Sequence, residues 1–144
     1  MAEAFAALDA YFWAVDADPQ AHAPDSAHDN IFMMHDDDWT SLDQAWEHRP
    51  AGWREECAYV LGYGRPDHCL PRLCRALFDD AFSVSIEAAC SFSAQVLTHR
   101  LHSSVAPEVE ERLAHLLKAA GDRHVEEVRQ LIEELHGRHG DPQG

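Results

Sequence analysis

The sequence predicts an all-α protein assembled from short antiparallel helical hairpins, and two observations carry that expectation. Between Trp53 and Leu77, two apolar-periodic segments flank a Gly-Tyr-Gly-Arg-Pro break. Trp53, Cys57, Val60 and Leu61 share one helical face in the first segment, and Leu70, Leu73, Cys74 and Leu77 share one in the second. Gly62 stands where a left-handed C-terminal residue is wanted, and Pro66-Asp67 suits the opening of a new helix. The second observation is an absence of alternation. No stretch of strand length alternates apolar and polar residues, so no strand is expected.

Taken in order, a first helix is expected over Ala2–Asp16, with Phe5, Leu8, Phe12 and Val15 as its buried stripe. Tyr11 and Trp13 fall off that stripe. Residues 16–25 read as loop from their Asp and Pro content. Ser26 and Asp29 signal a short second helix bearing Ile31, Phe32, Met33 and Met34. The densest charge in the chain follows, His35-Asp36-Asp37-Asp38-Trp39, and then a third helix over Thr40–His48 with Leu42, Ala45 and Trp46 inward. Beyond the central hairpin, a long helix is expected from Asp80 to His99, presenting Phe82, Ile86, Ala89, Cys90, Ala94 and Leu97. Pro107 and three Glu open the next helix, in keeping with the helix dipole, and it buries Val109, Leu113, Leu116, Leu117 and Ala120. Gly121-Asp122 reads as a stop and an N-cap. The last helix is expected to end at His136, with Gly137 as its terminator and residues 138–144 fraying.

The hairpin pattern recurs. Ala58-Tyr-Val-Leu61, followed by Leu70, Leu73, Cys74 and Leu77, reappears as Ala114-His-Leu-Leu117 followed by Val128, Leu131, Ile132 and Leu135. Half of this offset is about one helical hairpin, a solenoid period, so an intermediate copy is expected near Asp80. There Val84-Ser85-Ile86-Glu87-Ala88 occupies the place of Trp53 to Cys57. Arg54, Ala58, Leu61-Gly62, Pro71 and Leu73 together resemble the HEAT-like repeat of the phycobilin-lyase-associated family, over about residues 41–136. Ser85 replaces that family's Arg in the intermediate copy. The resemblance implies a short right-handed α-solenoid of HEAT-like hairpins, capped by acidic N-terminal helices. Helical solenoids usually bind other proteins.

With 144 residues, one domain is expected: acidic helices over 1–48, a repeat core over 49–136 and a tail over 137–144. The net charge is −15, and residues 1–48 hold 11 carboxylates with no Lys or Arg. Such a chain is a poor ligand for nucleic acid, whose phosphates need cations to displace their counterions. It suits a basic protein partner. Cys57, Cys69, Cys74 and Cys90 form no CxxC pair and read as packed thiols. No secretion signal or membrane-length apolar run is present, so a cytoplasmic location is expected.

The candidate partner-binding residues are Asp36, Asp37, Asp38, Trp39, Asp43 and Trp46. Acids would steer a basic partner and tryptophans would anchor it. Neutralising the three consecutive Asp should then leave stability unchanged or slightly raised. The sharpest form of this expectation is an immunity or inhibitor protein for a bacterial toxin domain, with no enzymatic activity and no cofactor. The alternative is a metal-binding protein or metal-dependent enzyme using His28, His35 and Asp36, with His22 beside them. Only one Glu-x-x-His pair, Glu133 with His136, is available to a di-metal bundle, which would need two. No G-x-S-x-G elbow occurs.

Overall fold

The computed structural model describes residues 2–121 and 125–140, with side chains as far as 137. The described residues form eight α-helices and two short 3-10 turns, with no strand. The helices are α1 (Glu3–Ala17), α2 (Asp25–Phe32), α3 (Asp36–Trp46), α4 (Ala51–Leu61), α5 (Pro66–Ala76), α6 (Phe82–His99), α7 (Pro107–Ala120) and α8 (Glu126–Gly140). Four of them pack in a row, α1 on α4, α4 on α6 and α6 on α8. α2 and α3 lie against α1, α5 against α4 and α6, and α7 against α6 and α8.

α6 packs against α4, α5, α7 and α8. Val84, Ala88, Ala89, Phe92 and Val96 are buried, and so are Ser85, Ser91, Ser93 and Gln95. A helix buried nearly all round belongs to the centre of a fold. Its small Ala and Ser side chains let its neighbours approach closely, and this is where Gly62 matters. Its backbone is right-handed, with φ −66°, and not left-handed as its position at a helix end suggests. A Cβ at Gly62 would instead meet Ser91 Oγ at 2.8 Å, so the glycine permits the α4–α6 approach. The left-handed cap of α6 is Arg100 (φ 56°), and the positive-φ glycine is Gly121 (φ 65°) after α7.

Several expectations move. The inward face of α5 is Cys69, Leu73, Ala76 and Leu77, while Leu70 and Cys74 are half-buried. α3 starts four residues early, at Asp36. α8 continues through Gly137 to Gly140, because an exposed glycine inside a helix weakens it without ending it. The expected N-cap at Asp122 and the last of the expected fraying tail lie outside the described residues. The recurrent pattern links α4 with α7 and α5 with α8, which are three helices apart. The intermediate stretch at Val84 lies within the single long helix α6.

Candidate functional site

The acidic run at the start of α3 is mostly structural. Asp38 is 1% exposed, and its two carboxylate oxygens accept from the Phe5 N–H and the His35 N–H, each at 2.9 Å. One side chain thus satisfies an orphan donor in the first turn of α1 and another at the entry to α3. Trp39 is 4% exposed, stacked on the His68 ring with the Arg72 guanidinium 4.5 Å from its own ring centre. Trp46 is also buried and meets Trp53 edge-on. Asp43 is held by Arg72 at 2.9 Å and Arg75 at 3.0 Å. Of the six residues expected to bind a partner, Asp36 and Asp37 alone are exposed. The two tryptophans cannot anchor a partner from inside the core. Aromatic residues beside a charge run carry the same pattern whether they face out or in, and here they face in.

The residues of the metal alternative do not converge. His28 stacks on Tyr63, with ring centres 4.0 Å apart, whereas His35 and Asp36 stand at the entry to α3. Among the described residues, no three His, Cys, Asp or Glu side chains lie close enough to hold a metal ion.

A different feature has the geometry of a binding site. The α4–α5 turn, α6 from Glu87 to His99 and the first turn of α8 enclose a groove of about 550 Å³, with Phe32 at the end of α2 on its rim. Ligand pockets are commonly ~300–1,000 Å³, mostly apolar, with a few placed polar groups. Phe32 and Tyr63, 56% and 46% exposed, present large apolar rings to water here. Tyr63 OH donates to Tyr59 OH at 3.1 Å, which fixes the two rings relative to each other. Beneath them Gln95, itself buried, donates through Nε2 to the carbonyls of Leu61 (3.1 Å) and Gly64 (2.8 Å). The turn is therefore pinned to α6 from below. Gly64 has no room for a Cβ, which would fall 2.5 Å from Cys69 Sγ.

Glu87 lies within the groove, one turn before Cys90. Burial pushes its carboxyl up to about 7, and the nearby charges of Glu55, Glu56 and Glu127 push in the same direction, against His22. It has no hydrogen-bond or ion-pair partner among the described residues. Burial also lifts the Cys90 thiol to about 11, with Glu87 and Glu127 adding to the effect, so the thiol is protonated at neutral pH and is no activated nucleophile. The bond from Tyr63 and burial together raise the Tyr59 phenol to about 12. Behind Tyr59, Glu56 accepts from Tyr11 OH at 2.5 Å and contacts His22 Nδ1 at 2.6 Å, while Tyr11 OH accepts from the Ala23 N–H. These bonds tie the loop between α1 and α2 to α4 and hold α2, with Phe32, over the groove. Arg65 also lines the groove, but it lies 3.4 Å from Asp67. Glu87 and Glu127 are the carboxylates among the described residues that line it.

None of the groove residues stood out in the sequence as a site. Tyr63 reads as an ordinary turn residue, and Glu87 is one carboxylate among 26 acids. The one available signal was Phe32-Met33 at the end of a short polar helix, two large apolar residues with no stripe to join. Comparison with protein families, curated proteins and solved structures finds no significant match for this chain.

Proposed function

We propose that the chain is a protein-binding module that captures a basic partner, with the groove over Glu87 as the receiving surface. The single observation that carries this is the joining, in one concavity, of exposed aromatic rings with a half-buried carboxylate that has no hydrogen-bond or ion-pair partner among the described residues and has other carboxylates near it. Aromatics in a partly desolvated pocket supply contact area, and acids supply steering and sign selectivity. The net charge of −15 acts in the same direction at longer range. The row α1–α4–α6–α8, with α5 and α7 beside it, is read as a short HEAT-like solenoid, an architecture that works by presenting a surface. Neutralising or scaffolding the partner is the role that fits. An immunity or inhibitor protein for a basic bacterial toxin domain is its sharpest form, and a cytoplasmic location accords with it.

The test is whether capture depends on the groove. Ala94 and Thr98 line it from α6, and Thr98 is exposed, so Thr98→Trp fills it without touching the core. Basic proteins retained by the wild-type chain at low salt should be lost with Thr98→Trp and with Ala94→Trp, while helicity by circular dichroism is kept. Retention of the same proteins by both folded variants would remove the groove from the proposal.

A further inference from the structure

The chemistry inside the groove is more specific than a preference for basic surfaces. We infer that it receives one arginine side chain of the partner, with the guanidinium at Glu87 and Glu127 and the alkyl stem against Phe32, Tyr59 and Tyr63. This assignment rests on the protein-binding function proposed above.

Three observations support it. The first is shape and lining. A cavity of about 550 Å³ takes an extended side chain together with the residues flanking it, and its lining joins the exposed rings of Phe32 and Tyr63 to the half-buried Glu87 and to Glu127 on α8. The second is the unsatisfied acceptor. Glu87 is half-buried without a hydrogen-bonding partner among the described residues, so an incoming planar donor replaces water at a group already partly stripped of it. The third is the choice between cations. A guanidinium is weakly hydrated, stacks on aromatic faces and bonds a carboxylate through two N–H groups, whereas an ammonium does none of these as well. Among the described residues Arg65 is the arginine in the lining, and it lies 3.4 Å from Asp67.

Cation entry favours the carboxylate form of Glu87, so binding should tighten as pH rises through about 7 and weaken below it. The other groups facing Glu87 are Glu55 and Glu56 on α4, His22 before α2, and Glu127 on α8. His99 and Arg65 also line the groove, and Cys90 lies on the same helix as Glu87. His22 and His99 are imidazoles near the same carboxylate, so the pH dependence has to be assigned to one group. Glu87→Gln separates the carboxylate from the imidazoles.

Titration of the full chain with acetyl-Leu-Arg-Leu-amide, its lysine and citrulline counterparts, and n-butylguanidinium tests the assignment. Tyrosine fluorescence and the alkylation rate of Cys90, followed by peptide mass, report occupancy. At about pH 8 the arginine peptide should slow alkylation of Cys90 and bind about tenfold or more tighter than the citrulline peptide, with lysine between them. Glu87→Gln should cost the arginine peptide about tenfold, leave the citrulline peptide unchanged and flatten the pH dependence. Equal binding of arginine and citrulline peptides, or an unchanged pH profile in Glu87→Gln, overturns the assignment. So does n-butylguanidinium binding as tightly as the peptide, which would make the occupant a small organic cation. If the chain captures a basic protein through the groove but no peptide protects Cys90, the binding function stands and the arginine assignment falls.

Discussion

Single carboxylates in this protein divide sharply by what they touch. Asp38 serves two backbone donors from a buried position, so Asp38→Ala strands both. The expected cost in urea unfolding is about 2–3 kcal/mol, against about 0.5 kcal/mol or less for Asp36→Asn, which is exposed. Neutralising Asp36, Asp37 and Asp38 together is therefore expected to destabilise, which reverses what a solvated acidic run suggests. Glu87 behaves in the opposite way. Its folded-state carboxyl titrates near 7, above its ordinary 4.5, so the folded chain favours its protonated form. That preference stabilises fully below about pH 4.5 and is lost as pH rises through about 7. Glu87→Gln, a permanent stand-in for the protonated form, should raise stability by about 1–2 kcal/mol at about pH 8, after discounting for partial exposure, and change little at about pH 4. Thermal unfolding at the two pH values checks this. No gain at pH 8 would mean that Glu87 is better solvated than the groove geometry indicates.

At the level of elements, periodicity revealed helices well and their surroundings poorly. The stripe Phe5, Leu8, Phe12 and Val15 of α1 is buried as its spacing requires, and so are Trp53, Cys57, Val60 and Leu61 of α4. A single apolar face was enough to define both. α6 has no single face, since its buried serines and Gln95 read as polar and disguise its central position. Gln95 shows why this matters for the site. It spends its amide N–H groups on the Leu61 and Gly64 carbonyls, and so shapes the turn that carries Tyr63. Gln95→Met keeps the volume and removes both bonds. It should cost about 1–3 kcal/mol and speed amide exchange in the α4–α5 turn before the rest of α4. Uniform acceleration across the molecule would show that Gln95 supports the fold at large and not the turn. The groove itself was not legible in the sequence, because it joins the end of α2, a turn, α6 and α8, and no local spacing records that meeting.

The whole molecule carries its charge unevenly, and its structure separates charge used internally from charge left to act at a distance. Arg49 with Asp9, Arg54 with Asp79, and Arg72 and Arg75 with Asp43 consume cations in pairs that tie the α3–α4 loop to α1, the α5–α6 loop to α4, and α5 to α3. Glu55 and Glu127 remain exposed around the groove, beside the half-buried Glu87. Association with a basic partner should therefore slow as salt rises, because exposed charges are screened beyond roughly 8 Å at physiological ionic strength, while dissociation follows the aromatic contacts. Stopped-flow rates across a salt series separate the two.

The most direct measurement is a hydrogen-exchange footprint of the chain saturated with a basic protein retained in the low-salt capture test. Slowed exchange is expected in residues 62–65 and along the C-terminal half of α6, with the entry to α3 at 36–38 unchanged. Slowed exchange at 36–38, with residues 62–65 exchanging as in the free chain, would contradict the groove and return the partner to the acidic N-terminal third.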